Sequence, residues 1–155
     1  MESELTYAEV LAKCQFLSAK CEYCIYDMKQ KMYRWGVPAD LQQKVVDSLV
    51  DDKFVDDLRF ATAYVKDKTR FNHWGRVKTT IMLRQKQIAQ SVINEAFAEL
   101  PEQDYQRAFE VERDKKLKQL RTLEPFPRRQ KTASYLIQKG FEPDMVFKEL
   151  DVEGE

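Results

Sequence analysis

Met32-Tyr-Arg-Trp-Gly-Val37, Leu83-Arg-Gln-Lys-Gln-Ile88 and Leu136-Ile-Gln-Lys-Gly-Phe141 are three copies of one pattern, set 51 and 53 residues apart. Each copy has an apolar residue, two variable ones, a large residue, a helix-stopping position and a second apolar residue. The agreement continues downstream. Leu41, Val92 and Met145 follow four positions after Val37, Ile88 and Phe141, and Val46, Phe97 and Leu150 follow nine positions after. A period of roughly fifty residues carried by apolar positions marks a repeat array. Such arrays usually work through an extended surface.

The helices follow from periodicity and stop signals. Thr6-Tyr-Ala-Glu9 fits a capping box, which predicts a helix from about Tyr7 to Leu17. Ser18 is the expected cap of a second helix, whose apolar line is Cys21, Cys24, Ile25, Met28, Met32 and Trp35. Gly36 is expected to stop that helix. Pro38 suits the first turn of a third helix, which runs to about Val50. Asp51 or Asp52 is expected to cap the fourth helix, with Phe54, Leu58, Ala61 and Val65 at helical spacing. Asn72 is the expected cap of the fifth, which carries Val77, Ile81 and Leu83. A sixth helix runs from about Ala89 to Leu100. A long charged one runs from about Glu102 to Leu120 and is interrupted by Pro125 and Pro127. Another spans about Arg128 to Lys139, and the last begins near Pro143. Residues after Asp151 read as an acidic frayed end. No period-two apolar run bounded by hairpin turns is found. The expectation is an all-α fold of three tandem three-helix repeats, residues 1–52, 53–100 and 101–155, in an elongated, curved arrangement.

Composition agrees. Of 155 residues, 43% are hydrophobic, enough for a core, and only 4 glycines and 5 prolines are available for turns. No apolar run reaches membrane-spanning length, and the acidic start lacks a signal-peptide core, so the expected location is the cytoplasm. The zero net charge hides an uneven distribution. The first repeat carries −3, the second +4 and the third −1. Two stretches are basic. Lys66, Lys68, Arg70, Arg76, Lys78, Arg84 and Lys86 face only Asp67, and Arg113 to Lys131 holds eight cations against Asp114 and Glu124.

Chemistry-bearing residues are sparse. His73 is the only histidine, and a general base needs a tuned partner. It reads as a surface or capping residue. No glycine-rich phosphate loop is present. Cys14, Cys21 and Cys24 are an odd number at one end of the chain. They fall short of a zinc ligand set and read as small buried helix positions. Neither a cofactor nor a metal is expected, and the chain is expected not to be an enzyme.

Asp56-Asp57-Leu58-Arg59-Phe60-Ala61, then Ala63-Tyr64-Val65, then Trp74-Gly75-Arg76 resembles the core of the RecX family, bacterial regulators of the RecA recombinase. Leu83 to Ile88 is similar to the family's leucine leading to Lys-Gly-Ile, and Leu136 to Phe141 is similar to its C-terminal Gly-Phe signature. The chain departs from the pattern at Gln87, where glycine is usual. It also carries Trp35 where the other two copies have lysine. The resemblance implies a modulator that binds RecA assembled on single-stranded DNA. Such a protein lies in the filament's helical groove and interferes with filament growth, ATP turnover and strand exchange. A monomer is expected, with no membrane contact.

With that resemblance, Lys66, Lys68, Arg70, Trp74, Arg76, Lys78, Arg84 and Lys86, with Arg128, Arg129 and Lys131, become the candidate contacts to RecA or to DNA. Cations neutralise phosphates and aromatics stack on single-stranded bases, but the same cations suit acidic protein patches. Arg128, Arg129 and Lys131 at a helix start oppose the helix dipole, which hints at a use elsewhere. Asp56, Asp57, Arg59, Phe60, Ala61, Gly75, Gly140 and Phe141 are expected to be structural, although Asp56, Asp57 and Arg59 also qualify as partner contacts. Two rival readings remain: a trihelical DNA-binding module independent of RecA, and a helical adaptor for another protein.

Overall fold

The computed structural model describes residues 4–152. Of the expected acidic end, Glu153 and Glu155 lie outside the described residues. Among the described residues there are nine α-helices and no strand: α1 Tyr7–Lys20, α2 Ile25–Arg34, α3 Ala39–Asp51, α4 Asp57–Arg70, α5 Arg76–Gln85, α6 Gln90–Ala98, α7 Glu102–Gln119, α8 Pro125–Gln138 and α9 Pro143–Leu150. They form an all-α repeat fold.

The tripled motif is a helix C-cap. Gly36, Gln87 and Gly140 all take left-handed backbone, with φ of 77°, 59° and 99°. In each copy the second apolar residue donates its amide back to the carbonyl of the first: Val37 to Met32, Ile88 to Leu83 and Phe141 to Leu136. Gly36, Gln87 and Gly140 donate to Tyr33, Arg84 and Ile137. This double closure is the Schellman motif. It buries the paired apolar residues together and turns the chain into the third helix of each repeat. The expected departure at Gln87 is resolved by a non-glycine residue in the same conformation.

Several expected caps are corrected. Ser18 lies inside α1, where its hydroxyl donates to the Cys14 carbonyl, and Cys24 caps α2, its sulfur accepting from the Asp27 amide. Asp56 caps α4, its carboxylate accepting from the Arg59 amide, whereas Asp51 ends α3. Gly75, not Asn72, precedes α5. Pro125 and Pro127 belong to the first turn of α8 instead of interrupting the chain before it. A first-turn proline gives up no helical hydrogen bond.

Apolar burial forms two clusters among the described residues. One is centred in the first repeat around Val10, Met28, Met32, Val45 and Leu49 and takes in Phe54 and Val55 from the start of the second. The other runs without a break through the second and third repeats, from Phe60, Val65 and Leu83 to Phe109, Leu136, Phe141 and Val146. Cys24 is the one buried residue of the first repeat in that larger cluster.

The repeats join through their turns. Gly75 donates its amide to the Lys139 carbonyl and Val77 donates to the Gly140 carbonyl, both at 2.9 Å. The backbones approach so closely that a Cβ on Gly75 would overlap Gly140 and Phe141, and one on Gly140 would overlap Lys78. Glycine is required at both positions for space, and at Gly140 for its positive φ as well.

Candidate functional site

The structure sorts the expected contact residues into those consumed by the fold and those left outward. Arg70 pairs with Asp104 at 2.7 Å, tying α4 to α7. Arg76 reaches Glu142 at 3.3 Å and Glu102 at 3.4 Å, and its guanidinium lies 3.9 Å from the centre of the Tyr105 ring. The Arg76 amide donates to the Tyr105 hydroxyl, which in turn donates to Glu142. Burial first, then the Glu142 carboxylate, pushes the Tyr105 phenol well above its usual range. Lys86 donates to both oxygens of Asp27 at 2.9 Å, across the joint between the first two repeats. Burial opposes the lysine's charge, but Asp27 outweighs it and holds the pKa above its usual value. Arg128 donates from Nε to the Leu117 carbonyl at 2.7 Å.

The signature Asp-Asp-x-Arg-Phe-Ala is also put to structural use. Asp56 caps its own helix. Asp57 accepts the Ile25 amide at 2.8 Å and so closes the start of α2. Arg59 pairs with Glu22 at 2.8 Å and donates to the carbonyls of Lys53 and Phe54. Phe60 and Ala61 are buried. Phe141 is fully buried against Tyr105 and Phe109, edge to face.

A different set faces outward around α5. Arg84 is exposed, and neither it nor Lys66 makes an ion pair among the described residues. Trp74 is half-buried, edge-on to Tyr64, with the ammonium groups of Lys78 and Lys68 lying 4.4 Å and 4.8 Å from its ring centroid. Val77 and Ile81, one turn apart on α5, are exposed by 44% and 52%. The inner face of α5 is carried by Thr79 and Leu83 instead. Between Asp67 and Glu95 the chain has no carboxylate. The outer side of α5 has an apolar centre edged by Lys78 and Arg84, the anatomy of a protein contact, while Glu102 and Glu142 reach only Arg76 at its start.

Sequence reasoning missed the cluster around Glu112. This glutamate is buried, with 4% exposure. Tyr135 donates to it at 2.5 Å, His73 Nδ1 lies at 3.2 Å, and the Lys139 and Lys115 ammonium groups lie at 3.5 Å and 3.9 Å. Burial alone would raise its pKa, but Tyr135, His73 and the two lysines outweigh that and hold it below the usual value. Lys139 also donates to the Asn72 carbonyl, fixing the α4–α5 turn to α8. No spacing could reveal the cluster, because its members come from three separate segments, the α4–α5 turn, α7 and α8. Among the described residues, no group of three or more metal-ligating side chains is assembled, and no helix is long and apolar enough to cross a membrane.

The comparisons with known proteins match this architecture. Residues 56–96 match the family model "RecX, second three-helix domain", and residues 102–150 match "RecX, third three-helix domain". The chain belongs to the RecX family. Over 144 residues it is 27% identical to the "Regulatory protein RecX" of Vibrio parahaemolyticus, covering 93% of this chain and 90% of that one. Over 116 residues it is 28% identical to the protein of the same name from Pelodictyon phaeoclathratiforme, covering 75% and 71%. Two solved structures share the fold. One is titled a crystal structure of regulatory protein RecX, with TM-score 0.81, 20% identity and coverage of 96% of this chain and 80% of that one. The other is RecX from Lactobacillus salivarius, with TM-score 0.77, 16% identity and coverage of 93% and 98%.

Proposed function

We propose that this RecX-family regulator acts without catalysis, by binding RecA filaments on single-stranded DNA and slowing their growth, ATPase and strand exchange. The observation that carries the reading is the outward side of α5, where Lys78 and Arg84 flank the exposed Val77 and Ile81 and neither cation makes an ion pair among the described residues. Membership of a family of regulatory proteins supports it. In this reading the units 1–52, 53–100 and 101–155 form an elongated, curved body. The protein works as a cytoplasmic monomer, and its contact with neighbouring RecA subunits shifts the population of filament states. Direct stacking of a DNA base on Trp74 is less favoured, because Lys68, Lys78 and Tyr64 already clasp that ring.

The test is RecA's DNA-dependent ATPase, titrated with wild-type protein and with the double variant Lys78→Glu, Arg84→Glu. Inhibition by wild type at substoichiometric levels is expected, with about tenfold more of the variant needed for the same effect. Equal inhibition by both would remove α5 from the contact. A wild-type protein without effect would end the RecA reading. Arg76 and Lys86 are poor test positions, since reversing their charge would break joints between repeats.

A further inference from the structure

A groove of about 1150 Å³ lies between α7, α8 and the end of α9. Its floor includes Tyr135, Ile137 and Phe147, which are packed against the large core and therefore held in place. Lys116, Arg129 and Lys131 also line it, and Asp151 is the single carboxylate among its lining residues. None of the three cations makes an ion pair among the described residues. Lys116 instead lies over the Tyr135 ring, 4.8 Å from its centre.

Arg129 supplies a second, independent observation. Its Nε is buried and has no hydrogen-bond partner, whereas the adjacent Arg128 spends the same atom on the Leu117 carbonyl. A buried donor left unmade is unfavourable. A carboxylate that reached this guanidinium from the groove would satisfy the donor, in the bidentate geometry that arginine favours.

We infer that this groove is a docking site for an acidic segment of another protein, its carboxylates on Arg129, Lys116 and Lys131 and its apolar side chains on the floor. Capture of acidic motifs by clustered cations is a recurring mode of peptide recognition. The recessed apolar floor suits side chains spaced along a peptide better than a sugar-phosphate strand. The site lies apart from α5 and requires no assumption about RecA.

Fluorescence anisotropy provides the test. The probes are a labelled peptide of glutamates interspersed with leucine and phenylalanine, the same peptide with glutamine for glutamate, and oligothymidylate. The full chain binds the glutamate peptide and binds the glutamine peptide at least about tenfold more weakly. Ser134→Trp fills the groove without changing charge, and Lys131→Ala removes one exposed cation. Each weakens the glutamate peptide while leaving the melting temperature within a few degrees. The proposal is overturned if the wild type ignores the glutamate peptide, if the glutamine peptide binds equally well, or if both variants bind like wild type. It is also overturned if Ser134→Trp abolishes oligothymidylate binding and spares the peptide, because the groove would then hold nucleic acid.

Discussion

The carboxylate of Asp57 accepts the amide of Ile25 at 2.8 Å, so the second repeat closes a helix that belongs to the first. Its neighbour Asp56 closes its own helix. The paired aspartates of the signature thus perform the same chemistry on two different helices. Burial, with Asp56 and Asp27 nearby, raises the Asp57 pKa against the pull of the Ile25 amide.

Asp57→Ala should cost about 1 kcal/mol, the usual worth of an N-cap, read from urea denaturation. Asp57→Asn keeps the accepting oxygen and should cost less. The raised pKa means that ionisation is less favourable folded than unfolded. The wild type should therefore lose stability relative to Asp57→Asn as pH rises through the carboxylate range, with no such loss below it. A difference between the two proteins that does not change with pH would contradict this.

Gly75→Ala should be destabilising by about 2–3 kcal/mol, because the added methyl meets backbone that cannot swing aside. Gly140→Ala adds strain at positive φ and should cost at least as much. Gly36 also has positive φ, but a Cβ there meets nothing within 4 Å, so Gly36→Ala should be the mildest of the three. Thermal melts monitored by circular dichroism would rank them.

Glu112→Gln should cost about 1–3 kcal/mol at neutral pH by weakening a buried, multiply bonded carboxylate. The sign of the pH dependence follows from its lowered pKa. Glu112 contributes stability above its unfolded value of 4.5 that is lost as pH falls through the lower folded value. The gap between wild type and variant should thus narrow in acid, which chemical denaturation across pH 3 to 7 would show.

Gln87→Gly should stabilise the protein by up to about 1 kcal/mol, since a left-handed residue with a Cβ is strained. The gain is reduced by the larger entropy that glycine loses on folding. A lower melting temperature for the variant would mean that Gln87 makes a compensating contact.

Much of this fold was legible in the sequence because helix ends are local. Half of the capping box at Thr6 and Glu9 forms as expected, with the Thr6 hydroxyl accepting the Glu9 amide, whereas the Glu9 carboxylate accepts from that hydroxyl instead of from a backbone amide. The three motif copies share one turn. The errors came from choosing between neighbouring candidates. A serine inside α1 and a cysteine before α2 exchange the expected roles, because burial of Cys24 against the second repeat sets where the helix starts. The α5 periodicity was also misleading, since Val77 and Ile81 point outward while Thr79 is buried. Charge was legible only as an inventory. Whether a cation such as Lys86 is spent on Asp27 or presented like Arg84 depends on residues distant in sequence, and only the assembled chain decides it.

The two couplings along the chain respond differently to their medium. Cys24 and Tyr26 of the first repeat reach the larger core, and Phe54 and Val55 of the second reach the smaller one; to this joint the polar links of Lys86 with Asp27 and Arg59 with Glu22 are added, all partly open to solvent. The other two repeats are fused by water exclusion around Phe109, Leu136 and Phe141. Dissolved electrolyte screens the first kind of attachment and leaves the second nearly untouched. A rise in ionic strength therefore weakens the polar share of the first joint and spares the second, so the strength of that joint depends on the solution as well as on the polypeptide.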